Sequence, residues 1–381
     1  MPDLVCIKWK VSGSLQLKVT GLNCDKTKTD SLNARQLFYR PIASPGSDKS
    51  IMRIRKWVEH CTANHPRCQP DISGAYVLNP PKLPTRVIDV RAHEKDVRLF
   101  VSNGKNASYI ALSHCWGGAS LIQTKKSLFR KYQQFIKYDS LSKTIQDAVY
   151  VARELGIQYL WVDSLCIIQD DEEDWSHEAK TMALVYEGAY FTIAATAAKD
   201  GTQGLFMPRT PQNLVEVPCN PTDPTSGSMY LGIKDQTAKF EMFKGPLNNR
   251  AGVLQERLFS RRTVHFASDQ LHWECDKGLT AEDNESTTDP VGEKFQLIPT
   301  RSMLCYNLSC YLGKAQNPLP EAVATDENPF GTTADFHSLW VQNIKFFSRC
   351  SLTKPSDKLP ALHSLSERLA ELTGHPYHEG H

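Results

Sequence analysis

The sequence predicts an α/β fold: a central, mostly parallel sheet flanked by helices and interrupted by irregular insertions. Three observations carry that expectation. Apolar runs of strand length, "YIALS", "YLWV" and "FTIAA", recur along the chain. They are apolar on both faces, as strands covered from both sides must be. Between them lie segments of helical periodicity, and the alternation strand, helix, strand, helix, strand marks a parallel sheet joined by crossovers.

Taken in order, residues 1–50 form a lead-in with one strand candidate, "SLQLKV", among polar stretches of little periodicity. Regular structure firms up in "IMRIRKWVEHC", where Ile51, Ile54, Trp57, Val58 and Cys61 share a helical face. The prolines of "PPKLPTRVIDV" then force an extended path into a strand, and "VRLFVS" and "YIALS" follow. A polar amphipathic segment spans about 125–138. In "SKTIQDAVYVARELG", Ile145, Ala148, Val149, Ala152 and Leu155 share one face, and Gly156 ends the helix. The strand "YLWV" comes next, then a helix over 173–187 whose opening acids suit the positive end of its dipole. Residues 51–208 are thus a core. Residues 209–245, rich in proline, read as an irregular insertion, and 246–372 as a C-terminal part of the same region, with "VLQERLFSRRTVHF", "HWEC" and a late helix "SLWVQNIKFFSRC".

Composition narrows the function classes. The 381 residues carry 44 lysines and arginines against 42 acids, so a formal charge of +2 exerts no general pull on nucleic acid or anionic lipid. No apolar run approaches the roughly 20 residues that span a bilayer. Eleven scattered cysteines and a start without an apolar leader point to reduced thiols and to the cytoplasm or nucleus.

In an open parallel sheet, ligands sit at the carboxyl ends of strands. Two strands here end in reactive groups. "ALSHCWG" delivers Ser113, His114, Trp116 and the close-turning Gly117, and "YLWVDSLCIIQDD" delivers Asp163, Cys166 and Gln169. His114 and Asp163 equally suit loop capping. Cys115 and Cys166 are candidate nucleophiles with His114 as base, but neighbours on a strand point to opposite faces, so His114 is badly placed to activate Cys115, and both thiols read as buried small hydrophobes. Glu178 lies near the buried edge of the acidic helix. Glu256 is held between Leu254 and Leu258 in "VLQER", where a carboxylate either pairs with Arg250, Arg257 or Arg261 or has a perturbed pKa. Cys61, His65 and Cys68 approach the density of a zinc site. The usual second pair of ligands is absent, so the expectation is a helix end with buried thiols and no metal.

Several segments in fixed order, "LPTRVIDV", "YIALSHCWGG", the long stretch from "LSKTIQDAV" to "DGTQGLF", "VLQERLFSRRTVHF", "HWEC" and "LTKPSDKLPAL", resemble the fungal heterokaryon-incompatibility (HET) domain family. That resemblance implies self/non-self recognition and programmed cell death after incompatible cell fusion. It also implies a TIR/flavodoxin-like core, distantly similar to the TIR fold, in which a glutamate supports NAD cleavage. On that implication Glu256 takes the catalytic role with Asp163 and His114, and Ser113, Trp116, Gly117, Cys166, Gln169, Glu178 and Arg257 line a dinucleotide pocket. NAD is then substrate, with no bound cofactor. One departure is Gly252, in "RAGVLQE", where relatives carry tryptophan; loss of that ring is expected to open or weaken the pocket. Two other readings stay open: a non-catalytic death-signalling module acting through self-association or a partner protein, and a HET-like enzyme acting on a small metabolite.

Overall fold

The protein is described here by a computed structural model covering residues 16–22, 44–65, 68, 80–117, 122–209, 214–218, 228–234, 241–282, 286–287, 341, 343–345, 347–350, 366–367 and 370. The first strand, β1 (Gln16–Leu22), falls where "SLQLKV" predicts one. Helix α1 (Asp48–Asn64) is capped by Ser47, whose hydroxyl accepts the Ser50 N–H, and it buries the expected stripe of Ile51, Ile54, Trp57, Val58 and Cys61. An antiparallel pair follows, β2 (Arg86–Asp89) and β3 (Arg98–Val101), and then β4 (Tyr109–Ser113), buried along its whole length. After α2 (Lys126–Gln134), helix α3 (Lys143–Leu155) ends at Gly156, which adopts the left-handed conformation (φ 82°). Few other residues adopt that conformation without strain.

Strand β5 (Tyr159–Trp161) runs into a single helical turn, α4 (Asp163–Cys166). Helix α5 (Glu172–Gly188) is capped by Asp171 and opens with Glu172, Glu173 and Asp174, which complement its positive end. It leads to β6 (Phe191–Ala194). The segment read as an irregular insertion carries two strands, β7 (Leu214–Pro218) and β8 (Ser228–Lys234). These join β1 in a separate antiparallel sheet of order β1-β8-β7.

The C-terminal part has a short helix α6 (Glu241–Lys244) and α7 (Ala251–Phe259), then β9 (Arg262–Phe266), β10 (Leu271–Cys275), β11 (Gly278–Ala281) and β12 (Ser286–Thr287). In the late helix segment, Val341, Asn343, Ile344, Lys345 and Phe347 are helical. "LTKPSDKLPAL" lies outside the described residues.

Among the described residues nine strands form the main sheet, in the order β12-β11-β10-β9-β6-β4-β5-β2-β3. Its middle, β9-β6-β4-β5, is parallel, and both flanks are antiparallel hairpins. The three apolar runs are therefore contiguous strands of one sheet. From β4 the chain crosses by α3 to β5 on one side, then by α5 over β4 to β6 on the other. Right-handed crossovers in opposite directions place α3 and α5 on opposite faces. The aromatic ring of Trp161 on β5 meets that of Tyr186 on α5 at 5.6 Å, and the Tyr109 hydroxyl donates to the Val185 carbonyl at 2.6 Å, tying α5 to its face. Among the described residues no helix is long and apolar enough to cross a membrane.

Candidate functional site

Where successive connections leave neighbouring parallel strands in opposite directions, the strand ends part and leave a crevice. In this sheet that point lies between β4 and β6. Ser113 ends β4 and Ala194 ends β6, and both line a cavity together with Thr192, Val253, Glu256 and His265. The cavity measures about 10 Å³, room for about one water.

Glu256 on α7 is the acid of this cavity, only 8% exposed. Burial is the main force pushing its carboxyl up from an ordinary 4.5 to about 7, and the charge of Asp163 adds to it. The Ser113 hydroxyl, the Arg250 guanidinium and the Tyr186 phenol act in the opposite direction. Oε2 of Glu256 is buried without a hydrogen bond of ordinary geometry. A carboxyl held this way is close to equal parts acid and base at neutral pH.

A second layer of the site stands beside it. The Trp116 indole N–H donates to Asp163 Oδ2 at 2.7 Å, and the Ser164 backbone N–H donates to Asp163 Oδ1 at 2.7 Å. The loop after β4 is thereby fastened to the end of β5, and a carboxylate at the start of α4 has the donors its position demands. The Nδ1 atom of His114 stands 3.9 Å from Asp163 Oδ1, beyond a hydrogen bond, and burial lowers the pKa of this ring, which keeps it neutral. From the N-cap of α7, Arg250 donates to the His114 carbonyl at 2.8 Å. Gly117 (φ 71°) lets the loop pass Asp200, whose side chain a Cβ there would strike.

The structure gathers Ser113, His114, Trp116, Gly117, Asp163 and Glu256 at these strand ends. It takes others elsewhere. Glu178 is buried against Arg86, 3.1 Å away, and Arg86 also holds Asp174 and donates to the Cys166 carbonyl at 2.6 Å. The Cys166 thiol accepts the Val162 N–H, and burial raises its pKa to about 12, so it stays a neutral thiol. Cys115, also raised by burial, is equally a thiol. Gln169 spends its amide on the carbonyls of Asp163 and Ile167, fixing the α4 turn. Arg257 reaches the cavity wall, but its Nε donates to Glu274 at 2.8 Å and its guanidinium lies 4.8 Å from the Phe243 ring.

Behind the cavity wall is a buried polar chain. Glu274 Oε2 is 3.0 Å from His265 Nε2, and His265 Nδ1 is 3.2 Å from the Thr196 hydroxyl. Burial pushes the Glu274 carboxyl up, but Arg257 and His265 together outweigh it and bring the value to about 2. His265 is lowered by burial to about 4. An anionic Glu274 beside a neutral imidazole and an arginine locks β9 to β10 and braces α7 beneath Glu256. Tyr186 and His265 are site residues the sequence reading did not single out. Tyr186 falls in the apolar stripe of α5 and His265 inside a strand, where an aromatic ring reads as core.

Residues 109–256 match the family model for the heterokaryon incompatibility protein (HET), from the first residue of β4 to the cavity glutamate itself. No curated protein and no solved structure matches the chain.

Proposed function

From the match of residues 109–256 to the HET family model, we propose a protein of heterokaryon incompatibility that triggers cell death by cleaving the nicotinamide–ribose bond of NAD. One observation carries the chemistry: a buried carboxyl with a pKa of about 7 at the β4–β6 switch point. In the reaction, the bond between ribose C1′ and the nicotinamide nitrogen breaks, and both electrons leave with neutral nicotinamide. The ribose becomes an oxocarbenium ion, as in other glycosidic cleavages. Ionised Glu256 stabilises that cation and takes a proton from the water that adds to C1′. A carboxylate about 4 Å from the cation contributes roughly 4 kcal/mol at an effective dielectric near 20, on the order of 10³-fold in rate. Trp116, whose indole N–H is anchored by Asp163, stacks on an aromatic base of the substrate in this reading. The strand order β5-β4-β6-β9 and the position of Glu256 support the TIR-like reading.

A second reading has its own observation in favour. The cavity takes about one water, not a nicotinamide ring, so cleavage requires α7 or the loop after β4 to move. A module that acts by assembly needs no such opening. Incubating the purified full chain with NAD and following nicotinamide release decides between them. Release that falls 10² to 10³-fold in Glu256→Gln supports cleavage. No release at any protein concentration, from a chain that still folds and self-associates, supports the assembly module.

A further inference from the structure

Outside the HET match, two segments 207 or more residues apart bring four metal-binding side chains to one point. Cys61 is in the last turn of α1, His65 is its C-cap, Cys68 follows in the next turn, and Cys275 ends β10. Their ligand atoms all lie within 4.8 Å of one another. The three cysteines are at most 2% exposed. The local backbone is set for this convergence: the His65 N–H donates to the Cys61 carbonyl at 3.0 Å, and the Cys68 N–H donates to the His65 carbonyl at 3.0 Å. These bonds wind the chain past the end of α1 so that all three side chains turn toward β10.

We propose that Cys61, His65, Cys68 and Cys275 hold one structural zinc ion in a tetrahedral Cys3His site. The fourth ligand, which C-x3-H-x2-C lacks in sequence, comes from the far end of the sheet. The spacing between ligands fits. For zinc bonds near 2.3 Å to sulfur and 2.0–2.1 Å to nitrogen, a tetrahedral S···N edge is about 3.6 Å. The Cys275 Sγ to His65 Nδ1 distance is 3.5 Å. Charge also fits. Three thiolates around a divalent ion leave one net negative charge, and Arg262, itself 2% exposed, places its Nε 3.3 Å from Cys61 Sγ. Packing alone does not call for this arrangement, because thiols buried as small hydrophobes have no reason to share one point with an imidazole nitrogen. Four protein ligands leave no open position, so the ion is structural. It pins α1 to β10, where Trp57 and Trp273 already stack at 6.3 Å.

The full chain, purified without chelator, is assayed for metal by elemental analysis and reconstituted with cobalt(II). About one zinc per chain is expected, and the cobalt form should show the intense visible bands of a tetrahedral ion with a thiolate charge-transfer band. Cys275→Ala should lose both signals, Cys350→Ala should keep both, and His65→Cys should keep the zinc as a four-thiolate site. Where a variant fails to fold, the wild-type cobalt spectrum decides alone. The proposal is overturned if the reduced wild-type chain, supplied with zinc, holds a tenth of an ion or less. It is equally overturned by a disulfide among Cys61, Cys68 and Cys275 in the native protein, or by a cobalt spectrum unchanged in Cys275→Ala.

Discussion

Glu256 sets stability against activity at a single carboxyl. Its pKa is raised from 4.5 to about 7, so the neutral form is the one the fold prefers. The stability this group contributes is whole below pH 4.5 and is lost as pH rises through 7, roughly 3 kcal/mol in all. The proposed cleavage of NAD needs the ionised form. The rate should therefore climb with an apparent pKa of about 7, provided chemistry limits turnover. Glu256→Gln should unfold at higher urea than wild type at pH 8 and at the same urea at pH 4.5, while nicotinamide release falls. A variant less stable than wild type at both pH values would mean that the carboxyl is a structural hydrogen-bonding group. The sequence pointed to this residue through its apolar flanks, Leu254 and Leu258. Tyr186, on another helix, is invisible to local pattern, because its contact with Glu256 exists only after α5 and α7 pack together.

Among the elements, α7 and the loop after β4 shape the cavity, and two glycines show how differently they are constrained. Gly252, in the first turn of α7, would place a Cβ in open space, with nothing within 4 Å. Gly252→Ala should raise stability by about 0.5–1 kcal/mol, through lower entropy of the unfolded chain. Gly117 combines a positive φ with the approach of Asp200. Gly117→Ala should cost on the order of 1–3 kcal/mol and displace Trp116, read as reduced thermal stability and altered tryptophan fluorescence. The elements themselves were legible where periodicity and punctuation agree: α3 from its stripe and Gly156, β4 and β5 from apolar runs ending in polar groups. In the 209–245 segment β7 and β8 were not, because Pro218 and the surrounding prolines mask the alternation in "LVEVP". Nor was the fourth thiol at Cys275, since nothing local ties "HWEC" to α1.

At the scale of the molecule, the HET match and the folding unit do not coincide. The match ends at Glu256, yet β9, whose parallel pairing completes the middle of the sheet beside β6, begins at Arg262. The other flank, β2 and β3, precedes the match. An isolated 109–256 fragment would leave β5 and β6 as bare apolar edges, a template for aggregation. It should be insoluble or molten, whereas a 44–350 fragment should give a cooperative transition; expression and circular dichroism of both test this. Parallel strand order is set by contacts distant in sequence, and apolar runs carry no label for their neighbours.

The stacking of Trp57 on Trp273 has a consequence for how the chain is made. During synthesis, α1 leaves the ribosome 216 residues before the tryptophan it packs against. At about 5–20 residues per second, that is a wait of roughly 10–40 s. For that time Trp57 has no β10 to cover it. Throughout that interval the nascent chain carries a surface for holdase chaperones, which is covered when β10 reaches α1.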